Sequence, residues 1–350
     1  MLSRRNFLKI LTGLGALLIP WTVLPRLEKM GSLVPRPPVK FINASNLDKD
    51  GPGEDEFPMP PAEVLARKAL ADIEALSHPD KEGRRAGTAG ETRALVYLEE
   101  QLKLLNLQPF GADNYWQMFS IPAMQEKIIN GRALFRPDEA DPLLSPAGNI
   151  LAVLPGQDAD AYVIISAHYD HLGIYNGKLY PGANDNASGV GCILQVLRSL
   201  VRDYCQGIRP KYNIVAAFWG AEEMGFLGSK YFVSHPLFPL AGLKAVINYD
   251  TVGNGEREDF ILWQVGDSWL KDIMQEAAEK NQARLELNYG GGHQSDEAAF
   301  RGTSVPAVTM LSKNWLEKNH TPEDDLSLIN PEKLETACSI LYTALKKIVY

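Results

Sequence analysis

The chain has 350 residues, 45% of them hydrophobic and 22% charged, a composition that can bury a substantial core. Its formal net charge is −8, and the segment through Arg26 carries Arg4, Arg5, Lys9 and Arg26 with no acid, so the rest of the chain stands at −12. That balance argues against nucleic acid or an anionic membrane surface as a partner. Of the three cysteines, Cys192 and Cys205 fall near opposite ends of one predicted helix, too far apart to bridge. No disulfide framework is expected, and all three, Cys338 included, read as buried thiols.

The first elements in the chain concern location. Arg4-Arg5 followed by the apolar run Ile10–Ile19, broken by Gly13 and Gly15, resembles a twin-arginine export signal over residues 1–26. No clear cleavage site follows, so the segment is removed or stays as an anchor; membrane contact is expected only through it if it is retained. Residues 27–57, rich in Pro, Gly and Asp from Gly31 onward, read as an extended arm. Residues 58–350 read as one domain.

Two helical patterns open that domain, Pro61–Ser77 and Gly90–Leu105, the second with Leu95, Leu98, Leu102 and Leu105 on one face. Residues 115–123 and 127–136 look like antiparallel strands. Strand patterns then alternate with helices: 149–154, 161–167, helix 187–203, 212–219, helix 223–234, 243–249, 260–265, helix 268–282, 305–311, and a last helix from Pro331. This rhythm predicts an α/β three-layer sandwich, its mixed sheet parallel at the centre and covered by helices on both faces. Active sites in such sheets gather at the carboxyl ends of the strands, where His168, Trp219 and Asp250 fall.

Five short segments each carry a metal-ligand side chain: Ala167-His168-Tyr169-Asp170, Asn184-Asp185-Asn186, Glu222-Glu223, Tyr249-Asp250 and Asn319-His320. Each alone has a bland reading. A histidine at a strand end is usually structural, an Asx-rich stretch is usually a turn, and paired glutamates often begin a helix. Five coincidences, most beside apolar runs, are less economical than one site of two imidazoles and three carboxylates, a donor set that suits Zn²⁺. Asp170, two positions beyond His168, could hydrogen-bond its ring; one carboxylate in the Asp185 turn could bridge two metals; of the adjacent glutamates, one could bind metal while the other takes a proton from water.

These blocks resemble the co-catalytic two-zinc aminopeptidases, metallopeptidase family twenty-eight. The matching stretches are AHYDHLG from Ala167, YPGANDNASGV from Tyr180, FWGAEEMGFLGSKYF from Phe218, INYDTVG from Ile247, SDEAAF from Ser295 and NHTPEDD from Asn319. Weaker similarity runs back to RRAGTAGETRALVYLEEQLKLLNLQPF from Arg84. The resemblance implies His168 and Asp250 on one zinc, Glu223 and His320 on the other, Asp185 bridging both through a turn often cis after it, Glu222 as general base and Asp170 as support for a metal ligand. It also implies peptide substrates and two Zn²⁺ per chain. Two positions depart from the family pattern. Ser295-Asp296-Glu297 stands where Ser-Asp-His is common, and Asn319 stands where some members carry a tyrosine.

The remaining histidines read as incidental: His171 contacting solvent or a loop rather than metal, His293 at the surface beside Gly290–Gly292, His235 at a helix end. Trp315 and Leu316 could wall a side-chain pocket. The expectation is an exported aminopeptidase using a zinc-activated water. The alternatives are a glutaminyl cyclase, a carboxypeptidase or dipeptidase, for which Arg301 is the nearest cation in the late motifs, and a non-catalytic ectodomain.

Overall fold

A computed structural model describes residues 62–112, 114–129, 132–138, 143–266, 268–287 and 293–350. The export signal and the arm predicted for residues 1–57 lie wholly outside these described residues. Among the described residues no helix is long and apolar enough to cross a membrane.

Uninterrupted runs of apolar residues make the middle of the sheet, as strands covered on both faces require. The strands are β1 (Gln108–Pro109), β2 (Trp116–Pro122), β3 (Met124–Ile129), β4 (Arg132–Pro137), β5 (Leu144–Leu154), β6 (Asp158–His168), β7 (Gly173–Tyr175), β8 (Lys178–Tyr180), β9 (Tyr212–Trp219), β10 (Leu243–Tyr249), β11 (Asp259–Val265), β12 (Arg284–Leu287) and β13 (Ala307–Ser312). The helices are α1 (Ala62–Ser77), α2 (Ala89–Leu104), α3 (Gly189–Cys205), α4 (Leu227–Ser234), α5 (Trp269–Lys280) and α6 (Pro331–Val349). The main sheet runs β1-β5-β9-β6-β10-β13-β11-β12, with β2 paired to β5. β9, β6, β10 and β13 are mutually parallel, flanked by antiparallel β5 and β11. The fold is the mixed, centrally parallel sandwich expected.

Alternation along each central strand divides the core. Val163 and Ile165 of β6, Ile214 and Phe218 of β9, and Ile247 of β10 pack with Ile73, Leu98, Ile193, Met274 and Leu341 from the helices. The intervening Ile164, Val215, Trp219 and Val246 pack on the other side with Phe232 of α4 and Phe238. The α2 stripe is buried at Leu95, Leu98 and Leu102, each contributing about 1.5–3 kcal/mol of transfer free energy. Local signals fix the helix starts. Thr88 accepts from Glu91 N–H, while the Glu91 carboxylate returns to Gly87 N–H at 2.6 Å. α6 starts at Pro331, as the sequence predicts, and Asn330 caps it by accepting from Glu332 N–H and Lys333 N–H.

Four expectations change. The predicted strand 127–136 is a hairpin, β3 against β4 with Ile129 opposite Arg132, and it pairs with no strand of the main sheet. The intervening Asn130-Gly131 is itself a hairpin signal that the reading of one long strand passed over. The helix expected at 223–234 begins only at Leu227, because Gly225 and Phe226 have φ of 97° and 61°; Glu222 and Glu223 therefore stand in a turn. The helix expected from residue 187 starts at Gly189, after an irregular turn over Ala183–Ser188. Cys205 is exposed at the end of α3, where that helix leaves the core, whereas Cys192 and Cys338 are buried.

Candidate metal centre

Parallel strands deliver most of the site, because their carboxyl ends open on one edge. His168 closes β6, Glu222 and Glu223 follow β9 by way of Gly220-Ala221, and Asp250 directly follows β10, its N–H donating to Met310 O of β13. Asp185 comes from the irregular turn before α3, and His320 from the loop between β13 and α6. The Asp185–Asn186 peptide is cis, as the resemblance implies. All seven predicted site residues meet here, and all except Glu223 and His320, which are partly exposed, are buried.

The Asp185 carboxylate has two differently occupied sides. Its Oδ1 lies 3.4 Å from His168 Nε2, which is also 3.4 Å from Asp250 Oδ1. Its Oδ2 lies 3.2 Å from His320 Nε2, which is 3.0 Å from Glu223 Oε2. Two donors on a tetrahedral zinc, each about 2.0–2.2 Å from the ion, stand about 3.3 Å apart. The observed separations have that scale, and Asp250 Oδ1 is enclosed without a hydrogen-bond partner. Donor chemistry, spacing and this unpaired oxygen all fit two zinc ions. Two groups of candidate ligands emerge, His168–Glu222–Asp250 and His171–Asp185–Glu223.

His171 is a correction. It is fully buried rather than facing solvent, and its Nδ1 lies 2.8 Å from Glu223 Oε1. Glu223 thus faces His171 with one oxygen and His320 with the other. The signal was the short spacing His168-x-x-His171 within one loop. Asp170 does a different task from the ring contact considered for it. The nearest acceptor to His168 Nδ1 is the Asp170 backbone carbonyl at 3.3 Å, with the carboxylate at 3.8 Å. The Asp170 carboxylate instead accepts the Glu222 N–H at 3.0 Å, fixing the turn that carries both glutamates.

Charge separates the two glutamates. Burial first, then the neighbouring Glu223, Asp250 and Asp296 carboxylates, push Glu222 well above the usual carboxylate range. Burial also opposes ionisation of Glu223, yet His320 and His171 together hold it well below that range. Burial pushes Asp170 up to about 7 and Asp296 up to about 8. So many buried carboxylates around imidazoles favour the entry of cations.

Three residues that the sequence reading passed over hold the Asp185 turn. Asp324 accepts the N–H groups of Asn184 and Asp185 at 2.7 and 2.9 Å. Asn186 accepts from Gly189 N–H and Thr251 N–H and donates to Tyr249 O, tying the turn to the end of β10. Arg84 lies beneath, donating to the carbonyls of Tyr169, Leu76, Pro181 and Gly182. Gly182 has φ 62°, and a Cβ there would meet Asp185 O at 2.3 Å and the His171 ring at 2.5 Å, so this corner admits only glycine.

The sequence pattern of Peptidase family M28 matches residues 149–345 of this chain, over half its length. The chain belongs to Peptidase family M28. Aminopeptidase YwaD of Bacillus subtilis (strain 168) is 26% identical over 311 residues, covering 82% of this M28 chain and 64% of YwaD. The chain spans 35% to 64% of the length of the first curated relatives it matches. Among solved structures, BSAP, a zinc aminopeptidase from Bacillus subtilis, superposes with a TM-score of 0.65 at 19% identity, over 81% of this chain and 95% of BSAP. Porphyromonas gingivalis glutaminyl cyclase superposes with a TM-score of 0.63 at 19% identity, over 81% and 98%. The fold is therefore shared by both chemistries, and the choice between them falls to the site.

Both departures from the M28 pattern are accommodated by this M28 chain. Glu297 accepts from Ser295 N–H and Thr309 Oγ1 in a buried network. Asn319 donates to Asp185 Oδ2 at 2.5 Å and accepts from Arg132 Nη2. Trp315 lies edge-on to Trp263 and His293, with Leu316 half exposed beside it; Arg301 is exposed, and His235 ends α4 as expected.

Proposed function

We propose that this M28 chain is an exported zinc aminopeptidase that removes amino-terminal residues from peptides. The observation that carries the reading is the two-sided Asp185, each oxygen facing an imidazole that itself lies beside a further carboxylate. In this reading His168 and Asp250 would hold one zinc and Glu223 and His320 the other, with Asp185 shared between them. When bound, the pair supplies Lewis acidity to the scissile carbonyl and lowers the pKa of water. Glu222 Oε2 stands 3.8 Å from His168 Nε2, farther than either oxygen assigned to that zinc, which leaves it free to act as base. It takes the proton of the attacking water and delivers it to the departing amine. Asp170 keeps the Glu222 backbone in place, and His171 orients Glu223. The surrounding carboxylates also suit the substrate's free ammonium. Export rests on the twin-arginine pattern alone.

Two expected results test this. Elemental analysis after extensive dialysis should find close to two zinc ions per chain, since five donors exceed what one tetrahedral ion uses; a reproducible value near one favours the cyclase. Acetylating the amino terminus of a long peptide should abolish its cleavage, because the neutral amide has no charge to pair. Amidating the carboxyl terminus of that peptide should change little. Mass spectrometry of the free, acetylated and amidated forms, with a peptide beginning in glutamine, separates the readings. A carboxypeptidase shortens the acetylated form, and a cyclase releases ammonia from the glutamine peptide without shortening it.

A further inference from the structure

The β3–β4 hairpin belongs to no other sheet, yet it is pinned to the site. Arg85 pairs with Glu126 of β3, and its guanidinium lies 4.6 Å from the centre of the Phe135 ring of β4. That docking sets Arg132, the first residue of β4, against the metal centre. Arg132 Nη2 donates to Asn319 Oδ1, and the same amide donates to Asp185 Oδ2. The guanidinium also lies 5.9 Å from the centre of the Trp315 ring. Its Nε is enclosed and has no hydrogen-bond partner. Among the described residues no carboxylate forms an ion pair with it, so one amide away from the bridging carboxylate stands a cation with donors to spare. Arg84, the other guanidinium at this centre, directs its donors to four backbone carbonyls beneath the site.

We propose that Arg132 is a specificity-determining residue that pairs with the free α-carboxylate of a dipeptide substrate. This rests on the aminopeptidase reading above. In a dipeptide the carboxylate is attached to the carbon next to the scissile nitrogen, so it must fall beside the metals when the scissile carbonyl is in place. In a longer peptide the carboxylate lies residues away and a neutral amide occupies that spot. A guanidinium suits the carboxylate, because its planar donors match two oxygens and its charge is permanent. Asn319, standing where some relatives have tyrosine, both anchors the arginine and separates it from Asp185.

The experiment compares leucylglycine with leucylglycinamide, which differ only in that carboxylate, on the zinc-loaded enzyme. The wild type should favour the acid by about tenfold or more in kcat/KM, carried mainly by KM, the scale of a charge-assisted hydrogen bond. In Arg132→Gln the acid-to-amide ratio should fall close to one, and Arg132→Lys should retain part of it. An arginine that merely holds Asn319 in place would lower both substrates together and leave the ratio intact, which overturns the proposal. Equal handling of the two by the wild type overturns it as well, whether or not the variants fold. A leucyl anilide separates the two levels of inference. Its hydrolysis alongside equal dipeptide rates removes only the role of Arg132, whereas no release from any of the three removes the aminopeptidase reading itself.

Discussion

Replacing Glu222 with Gln is expected to lower turnover about 10²–10⁴-fold, the usual contribution of a positioned general base, while zinc content and fold stay as they are. The amide has nearly the shape of the carboxylate but cannot take a proton from water. The turn survives, because the contact that fixes it is the Glu222 N–H donating to Asp170, a backbone group untouched by the substitution. Ionisation of Glu222 in the protein alone is opposed by burial and by Glu223, Asp250 and Asp296. Two zincs bring four positive charges against the three carboxylates assigned to them, so metal loading should draw Glu222 back toward the ionised form a base requires. The measurement is kcat beside elemental zinc analysis of the same preparation. A metal-replete Glu222→Gln enzyme with the parental rate would remove Glu222 from the role. Loss of one zinc would instead make it a ligand, in keeping with its place beside His168 and Asp250.

The parts of this site that could be read from the sequence are those where a ligand sits at the end of a strongly patterned strand. His168, the Glu222-Glu223 pair and Asp250 follow β6, β9 and β10, whose apolar runs announce both the strand and its end. The sheet order follows less directly, yet alternating strand and helix patterns restrict it to a parallel centre. What could not be read is the contribution of residues whose meaning depends on contacts distant along the chain. Arg84 lies 85 positions from the Tyr169 carbonyl it satisfies, and Arg132 lies 187 positions from Asn319. Neither stands in a periodic pattern, and an arginine in a loop or hairpin looks like ordinary surface charge. The place of His171 is hidden in the sequence for a related reason. Its partner Glu223 comes from the next strand of the sheet, and only the fold brings the two loops together.

The same distance in sequence hides the largest stability effect expected. Arg84→Met should destabilise the protein by about 3–5 kcal/mol, the range for removing one partner from a buried charged network. The side chain is fully buried, and its donors reach Tyr169 O at 2.7 Å, Leu76 O at 2.8 Å, Pro181 O at 2.6 Å and Gly182 O at 2.9 Å. Methionine fills much of the volume but removes a donor from each of those carbonyls, of which Gly182 O keeps the Ala187 N–H at 3.3 Å; a buried carbonyl left unsatisfied costs about 1–3 kcal/mol, which partial relaxation reduces. The substitution also removes a positive charge that faces Asp324, Asp170, Asp185 and Glu223. Burial pulls the guanidinium down to about 10, so it remains protonated at neutral pH and supplies that charge under working conditions. Arg84→Lys should fall between the two, since an ammonium keeps the charge but lacks the planar spread to reach carbonyls from both the Tyr169 loop and the Asp185 turn. Denaturant unfolding of the zinc-loaded proteins, at matched free zinc so that ligand linkage is equal, gives the comparison. A parental midpoint and slope for Arg84→Met would mean that the carbonyls find other donors, and that the turn carrying Asp185 is held by Asp324 and Asn186 alone.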